Sequence, residues 1–111
     1  MEEMAKLSEE EFWVMCLSTK NRIISSFVVS RGSLNGSMVH PREVFKVAIV
    51  SNAASVILLH NHPSGDPAPS QQDINITRRL VEVGKLVGID VLDHLIIGDG
   101  LFTSLKEKGY V

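Results

Sequence analysis

The strongest constraint on the fold lies in the middle of the chain, where an apolar run ends in a proline-rich stretch. Residues 55–59 are short, apolar and rich in branched side chains, which predicts a buried strand. Three prolines and a glycine follow between Pro63 and Pro69 and exclude regular structure there. Apolar side chains then recur at helical spacing, so a helix is expected to begin near Ser70 and to end at Gly88. This region therefore predicts a strand, a rigid loop and a helix, in that order.

The flanking regions alternate between strand and helix patterns. Residues 12–17 form an apolar run typical of a buried strand, and residues 23–30 are rich in branched and aromatic side chains, so the polar residues 19–22 predict a hairpin. A helix is expected from Pro41 and a further strand over residues 90–97. We therefore expect an α/β (α+β-like) fold, a central mixed β-sheet flanked by helices, with a short strand and a helical turn at the end.

Two polar segments are expected to lie outside these elements. Ser8 and the three glutamates at positions 9–11 predict either a capped helical turn or a short lead-in to the first strand. Glycines and an asparagine over residues 32–36 predict a loop.

Length and composition favour one globular domain. A chain of 111 residues accommodates one hydrophobic core, so a single domain over residues 1–111 is expected. Cys16 is the only cysteine, which excludes an internal disulfide and a cysteine-rich structural zinc site. The glutamate-rich residues 1–11 lack the layout of a secretory signal, and no apolar run approaches the roughly 20 residues of a membrane span. We expect a soluble, cytoplasmic protein without membrane partners.

The charge pattern gives little support to nucleic acid as the main partner. The formal net charge is −2, and there is no basic tail and no run of like charges. Proteins that bind phosphate backbones usually present clustered Lys and Arg side chains. Local contact remains open through two basic pairs, Lys20 with Arg22 and Arg78 with Arg79.

The residues best suited to chemistry are two histidines at the end of the central strand. His60 and His62 are two positions apart, so their side chains point to the same side and both imidazoles can reach one ion. Asp73, on the first turn of the next helix, can supply a carboxylate oxygen. Two nitrogens and one carboxylate suit zinc, and three protein ligands leave a fourth position for a water molecule. This layout is typical of catalytic zinc sites, in which the ion lowers the pKa of the water toward ~7.

Simpler interpretations of the same residues stay open. Ser70 and Asp73 match a helix-capping signature, which by itself would account for both. Structural roles, as helix lead-in, turn, strand or core residues, are the default for His40, Asp66, Asp93, His94 and Cys16. Asp66, Asp93 and His94 could alternatively support the metal ligands, and Asp66 could instead face the substrate.

The spacing resembles the JAMM (MPN+) metalloprotease motif, His-x-His followed by seven residues, a serine, two residues and an aspartate. Every position is matched, by His60, His62, Ser70 and Asp73. Three longer strings resemble the bacterial RadC family within this superfamily: His-Pro-Arg-Glu at 40–43, His-Asn-His-Pro-Ser-Gly-Asp-Pro at 60–67 and Leu-Asp-His at 92–94. The resemblance covers essentially the whole chain and implies a cytidine-deaminase-like, MPN architecture.

The resemblance also implies roles for individual residues. It implies one zinc ion per chain, bound by His60, His62 and Asp73. Ser70 becomes the hydroxyl that hydrogen-bonds the oxyanion of the reacting carbonyl group. The family's acid–base glutamate precedes the first strand in the pattern Glu-x-Phe, which selects Glu10. Glu11 is the alternative, because one residue of register reverses the face of a strand.

Three functions compete at this stage. The first is a zinc-dependent hydrolase in which metal-activated water attacks a peptide or isopeptide bond of a peptide or protein substrate. The second, suggested by the RadC name, is a DNA-repair or recombination module that binds nucleic acid or a repair partner without proteolysis. The third is a metal-holding domain without activity, used for assembly, which requires Glu10 and Glu11 to lie far from the ion.

Overall fold

A computed structural model of the chain describes residues 9–32 and 39–111, which form one mixed β-sheet and two helices. The elements are, in chain order, β1 Glu11–Leu17, β2 Ile23–Arg31, α1 Pro41–Val50, β3 Ser55–Asn61, α2 Gln71–Val87, β4 Asp90–Ile97 and β5 Phe102–Ser104. The strand order is β2-β1-β3-β4-β5, with β3 and β4 parallel and the other neighbours antiparallel. The predicted α+β-like class with a central mixed sheet is confirmed.

The predicted hairpin joins β1 to β2. The backbone N–H of Asn21 donates to the Ser18 carbonyl at 2.9 Å, and Asn21 adopts a φ of 59°. Asparagine tolerates this left-handed conformation better than most residues, so the polar turn suits its position. β1 also pairs antiparallel with β3, which places the start of β1 beside the end of β3.

The predicted strand, loop and helix follow one another as expected. β3 ends at Asn61, residues 62–70 contain no helix or strand, and α2 begins directly after its N-cap, Ser70. Gly88 ends α2 with a φ of 79°, a conformation that glycine adopts without a Cβ penalty. Because β4 then runs parallel to β3, the carboxyl ends of both strands lie at the same edge of the sheet.

The main hydrophobic core lies between one face of the sheet and both helices. Its most deeply buried members come from alternate strand positions and from the inward sides of the helices: Phe12, Val14, Cys16, Val44, Ala48, Val56, Leu58 and Leu80. The core interpretation of Cys16 is thus confirmed. A smaller cluster on the other face contains Leu59 and Ile97, packed by Trp13, Met15, Ile57 and Leu95. Within the described ranges, neither helix is long and apolar enough to cross a membrane.

Some predicted boundaries differ from the structure. A helical turn is wrong for residues 9–11, because residues 9 and 10 form a lead-in and Glu11 already begins β1. Glu11 is drawn into the sheet by pairing with Arg31 of β2. Ser8 and residues 33–36 of the predicted loop lie outside the described residues.

Candidate metal centre

Two histidines lie at the carboxyl end of β3. His60 is the penultimate residue of the strand and is 1% exposed, and His62 follows directly after Asn61. The backbone N–H of His62 donates to the Ile97 carbonyl of β4 at 2.9 Å, which keeps the chain extended beyond the end of β3. The two rings consequently lie on the same side, with centroids 4.8 Å apart.

Asp73 enters the same space from the first turn of α2. Its Oδ1 lies 3.2 Å from Nδ1 of His60, and its Oδ2 lies 3.1 Å from Nε2 of His62. One ligand atom from each of the three side chains lies within 4.8 Å of the others. Two imidazole nitrogens and a carboxylate oxygen at this spacing form a group that could hold a metal ion.

The partners of His62 determine which of its nitrogens is available to a metal. A backbone carbonyl only accepts hydrogen bonds, so the 2.9 Å contact from His62 Nδ1 to the Asp66 carbonyl requires the proton on Nδ1. Nε2 therefore faces the Asp73 carboxylate. The hydrogen bond to Asp73 raises the pKa of His62, although burial opposes the shift. The space between His62 Nε2 and the Asp73 carboxylate therefore suits a proton or a cation.

The environment of Asp73 also fits a cation. Burial acts to raise the pKa of Asp73, but contacts with both imidazoles and with the Ser70 N–H outweigh burial and hold the pKa well below its ordinary value. Nδ1 of His60 is buried, and its contact with Asp73 falls outside hydrogen-bond geometry, so this nitrogen has no hydrogen-bond partner in the described part of the chain. An ionised, 4% exposed carboxylate beside an unpartnered imidazole nitrogen is a donor arrangement that could hold a metal cation.

Ser70 belongs to the helix cap and also faces the site. Its Oγ accepts a hydrogen bond from the Asp73 N–H at 3.1 Å, while Asp73 Oδ2 accepts from the Ser70 N–H at 2.8 Å. These two bonds complete the capping box. The cap uses Ser70 Oγ as an acceptor, so its own hydroxyl proton stays available for donation. The capping and the catalytic interpretations of Ser70 are therefore compatible.

The two candidate glutamates occupy different surroundings. Glu10 Oε2 lies 3.3 Å from Nε2 of His60, at the metal centre. The Glu11 carboxylate instead accepts the indole N–H of Trp13 at 2.8 Å and pairs with Arg31 at 3.3 Å. Glu11 is 8% exposed and engaged away from the histidines. Only Glu10, of these two, is placed to exchange a proton with a group bound at the site.

The centre opens into a cleft of about 420 Å³. The cleft is lined by Glu10, His60, His62, Pro63, Ser64, Ser70, Gln72 and Asp73. Pro63, Ser64, Ser70 and Gln72 are exposed, whereas His60 and Asp73 are buried at its base. All five site residues selected from the sequence thus line one cavity, and their chemical roles remain predictions.

A buried pair beneath the ligands was missed by sequence reasoning. Thr77, one helical turn after Asp73, donates its hydroxyl to the Asp73 carbonyl at 2.7 Å and lies 2.6 Å from Nδ1 of His94. Because the single hydroxyl proton is already used, His94 must donate from Nδ1. Burial lowers the pKa of His94 to about 3, and the nearby charge of His60 acts in the same direction, so the ring is neutral. No local sequence pattern indicates that Thr77 has a partner 17 residues away.

Other candidates have the structural roles expected of them. His40 is the N-cap of α1, and its side chain makes no cap hydrogen bond. Oδ1 of Asp66 accepts the Ala68 N–H at 3.0 Å, which is turn chemistry. The Asp93 carboxylate accepts the N–H of His94 at 2.7 Å and the hydroxyl of Ser104 at 2.7 Å. The support that Asp66 gives to His62 comes from its backbone carbonyl.

The loop between β3 and α2 is docked on the turn between β4 and β5. The N–H of Asp99 donates to the Gly65 carbonyl at 2.9 Å. A Cβ at Gly98 would overlap that same carbonyl oxygen and would crowd the ring of Pro67. Only glycine permits this approach of two backbones, which holds the loop carrying the Asp66 carbonyl against the sheet.

Comparison with known proteins agrees with the geometry. A family model described as the RadC-like JAB domain matches residues 1–110. A UPF0758 protein of Caldanaerobacter subterraneus is 63% identical over 110 residues, covering 99% of this chain and 47% of that protein. A UPF0758 protein of Methanosarcina barkeri is 59% identical over 108 residues, covering 97% of this chain and 47% of that protein. One of Geobacillus thermodenitrificans is 62% identical over 111 residues, covering 100% of this chain and 49% of that protein.

The chain spans about half the length of the curated relatives it matches. Within that span the family model covers residues 1–110, and the match to the Geobacillus thermodenitrificans protein covers the whole chain. The resemblance inferred from the motif strings is thereby confirmed. The chain belongs to the RadC-like JAB domain family.

Proposed function

We propose that this chain is a zinc-dependent hydrolase domain that cleaves a peptide or isopeptide bond. The observation that carries the proposal is the grouping of three ligand side chains, His60, His62 and Asp73, with the Glu10 carboxylate 3.3 Å from His60. Zinc fits because two imidazoles and one carboxylate are a common ligand set of hydrolytic zinc sites. Membership of the RadC-like JAB domain family supports an amide-type bond as the target.

The acid–base work falls to Glu10. A bound zinc ion would supply a water molecule of lowered pKa, near ~7, and would polarise the substrate carbonyl. Glu10 is 28% exposed and adjoins His60, so its carboxylate can take a proton from that water and give it to the departing nitrogen. The new bond joins the water oxygen to the carbonyl carbon, the C–N bond breaks, and the amine leaves with the transferred proton.

Ser70 is placed to stabilise the charge that develops on the substrate carbonyl oxygen. Its hydroxyl lies at the cleft and keeps a proton to donate, because the helix cap uses it only as an acceptor. A donor fixed in advance by the cap needs no rearrangement during the reaction. The exposed walls of the cleft, Pro63, Ser64 and Gln72, leave room for a polypeptide substrate.

The test combines metal loading with hydrolysis. The chain is stripped with a chelator, reloaded with one equivalent of zinc, and incubated with a mixed library of internally quenched peptides and with lysine-linked isopeptide probes. We expect one zinc ion per chain and zinc-dependent cleavage that is lost in Asp73→Asn and in Glu10→Gln. Asn75→Ala, on the exposed side of α2, is the matched control and should cleave like the parent chain.

Two results would contradict the proposal. One is a chain that stays metal-free after exposure to zinc. The other is a fully zinc-loaded chain that cleaves none of the peptide and isopeptide probes. Cleavage that persists unchanged in Glu10→Gln would leave zinc hydrolysis standing but would remove Glu10 from the mechanism.

A further inference from the structure

Asn61, the residue between the two histidines, makes one buried and one part-buried hydrogen bond to the segment that carries Glu10. Asn61 is 1% exposed. Its Oδ1 accepts the backbone N–H of Glu11 at 2.6 Å, and its Nδ2 donates to the backbone carbonyl of Glu9 at 3.0 Å. The orientation of the amide is unambiguous, because an N–H can only donate and a carbonyl can only accept.

These bonds replace backbone pairing where the sheet ends. The register between β1 and β3 stops at the pair Phe12 and His60. Continued by one residue, that register would place Asn61 opposite Glu11. The side-chain amide of Asn61 takes over there, satisfying a backbone N–H and a backbone C=O that the ladder no longer reaches.

Glu10 is therefore held on both sides. Asn61 hydrogen-bonds the backbone of Glu9 and of Glu11, the neighbours of Glu10 on either side. The carbonyl of Glu10 itself accepts the N–H of Gly32 at 2.8 Å. A backbone tied at three consecutive residues has little freedom, so the Cα–Cβ direction of Glu10 is fixed relative to β3. Nε2 of His60, on the same strand as Asn61, lies 3.3 Å from the Glu10 carboxylate.

We infer that Asn61 is the positioning residue for Glu10, and that it couples the acid–base carboxylate to the strand that carries the histidine ligands. The catalytic role of Asn61 rests on the proposed function, whereas its two hydrogen bonds are a property of the folded chain. His-Asn-His is thus a single unit in which the outer two side chains and the middle side chain have different roles. The outer two face the metal centre, and the middle one holds the glutamate against it.

The primary test follows the Glu10 carboxyl carbon by ¹³C NMR in the full chain, without and with one equivalent of zinc. In the parent chain zinc should displace this resonance, because the carboxylate adjoins a ligand of the ion. In Asn61→Ala we expect the displacement to disappear, exchange of the Glu11 amide to accelerate at least about tenfold, and zinc affinity to stay within about threefold. Asn61→Asp, close to Asn61 in shape, keeps an acceptor for Glu11 but loses the donor to Glu9, and should reduce the displacement in a folded chain.

Ser104→Ala is the matched control. It also removes a part-buried hydrogen bond, from the Ser104 hydroxyl to Asp93 at 2.7 Å, but at the far edge of the sheet. This variant should lose a similar amount of stability. It should keep the zinc-dependent shift of the Glu10 carboxyl resonance and the slow hydrogen exchange of the Glu11 amide. A purely structural role for Asn61 predicts instead that the two variants behave alike.

Kinetics supply the second readout where the zinc-loaded chain cleaves a peptide probe. Asn61→Ala should lower kcat by roughly 10²-fold at unchanged KM, the loss expected when a catalytic group is misplaced by about 1 Å. In a Glu10→Gln background the same substitution should lower kcat no further, since Asn61 would act only through Glu10.

The inference fails if zinc still shifts the Glu10 carboxyl resonance in Asn61→Ala. It also fails if Asn61→Ala loses zinc affinity as well as this shift, since Asn61 would then act on the metal ligands. It also fails if the two kcat losses are additive. A chain that binds zinc but cleaves no probe overturns the proposed function alone, because the NMR and exchange results still decide whether Asn61 holds Glu10.

Discussion

Glu10 and Glu11 are adjacent in the chain, yet their carboxylates lie in separate environments, one 3.3 Å from His60 and the other 3.3 Å from Arg31. Successive residues at the start of a strand point to opposite faces, so the two acids cannot exchange roles without a change of register. The assembly-only hypothesis required both glutamates to lie far from the metal centre, and Glu10 does not.

The first prediction separates these two glutamates. Glu10→Gln should lower hydrolysis by about 10²–10⁴-fold while leaving zinc affinity almost unchanged, because an acid–base group is lost but no ligand is. Glu11→Gln should retain activity and lose at most about 1 kcal/mol of stability, since its partner Arg31 is 66% exposed. Steady-state kinetics and chemical denaturation of both variants check this. A Glu11→Gln variant with the larger activity loss would reverse the assignment.

The second prediction concerns Asp73 as a ligand. Asp73→Asn keeps an acceptor for the helix cap but replaces the carboxylate by a weaker ligand. We expect zinc affinity to fall by more than about 100-fold, because even residues that only support ligands typically contribute 10–100-fold. Competition with a chromophoric chelator measures the affinity. Zinc binding of equal strength in Asp73→Asn and in Asn75→Ala would show that Asp73 is only a cap.

The third prediction separates the two roles of Ser70. Glycine at an N-cap costs only a few tenths of a kcal/mol relative to serine. Ser70→Gly should therefore leave the free energy of unfolding almost unchanged, yet lower kcat by about 10²–10³-fold if the hydroxyl stabilises the developing oxyanion. Thermal unfolding and kinetics on the same sample give both values. Parallel losses of stability and activity would instead indicate that the cap is its whole function.

The fourth prediction tests the docking of the loop on the sheet. Gly98→Ala would place a Cβ against the Gly65 carbonyl and the Pro67 ring, so the loop must move. We expect reduced stability and weaker zinc binding, because the displaced loop also carries the carbonyl that orients His62. Gly100→Asn is the control: its Cβ meets no atom within 4 Å, and asparagine tolerates its φ of 69°. Isothermal titration with zinc should detect the weaker binding only in Gly98→Ala.

The fifth prediction is a pH dependence of stability in the zinc-free chain. The pKa of His94 is about 3 in the folded state, against an ordinary value of 6.5. At pH values between about 3 and 6.5, the His94 imidazole binds a proton in the unfolded chain but not in the folded chain. The free energy of unfolding should therefore fall as the pH drops below 6.5, by up to about 1.4 kcal/mol per pH unit from this group.

The comparison with His94→Phe isolates this contribution. His60, His62 and Asp73 are the titratable groups that face His94, and they are present in both chains. Their own titration therefore largely cancels in the difference between the two curves. Urea unfolding at several pH values from 6.5 to 4.5 should give a flatter curve for His94→Phe. His40→Asn, at an exposed position, should keep the steep curve of the parent chain. Identical slopes in all three chains would mean that His94 is not held neutral.

The sequence by itself determined the parts of this protein that depend on short-range chemistry. Prolines between positions 63 and 69 end β3, a capping box at Ser70 begins α2, and a glycine in the left-handed conformation at position 88 ends it. The positions of His60, His62 and Asp73 on these elements allowed their grouping to be predicted before any contact was known.

Tertiary structure alone decided which groups support that centre. The glutamate at position 10 meets His60 only because β1 pairs with β3 in one register, and Asn61 holds it only because that pairing stops one residue earlier. The bond between Thr77 and His94 likewise joins a helix to a strand. Such contacts join residues up to 52 positions apart, and apart from the family resemblance that selected Glu10, no sequence pattern indicates them.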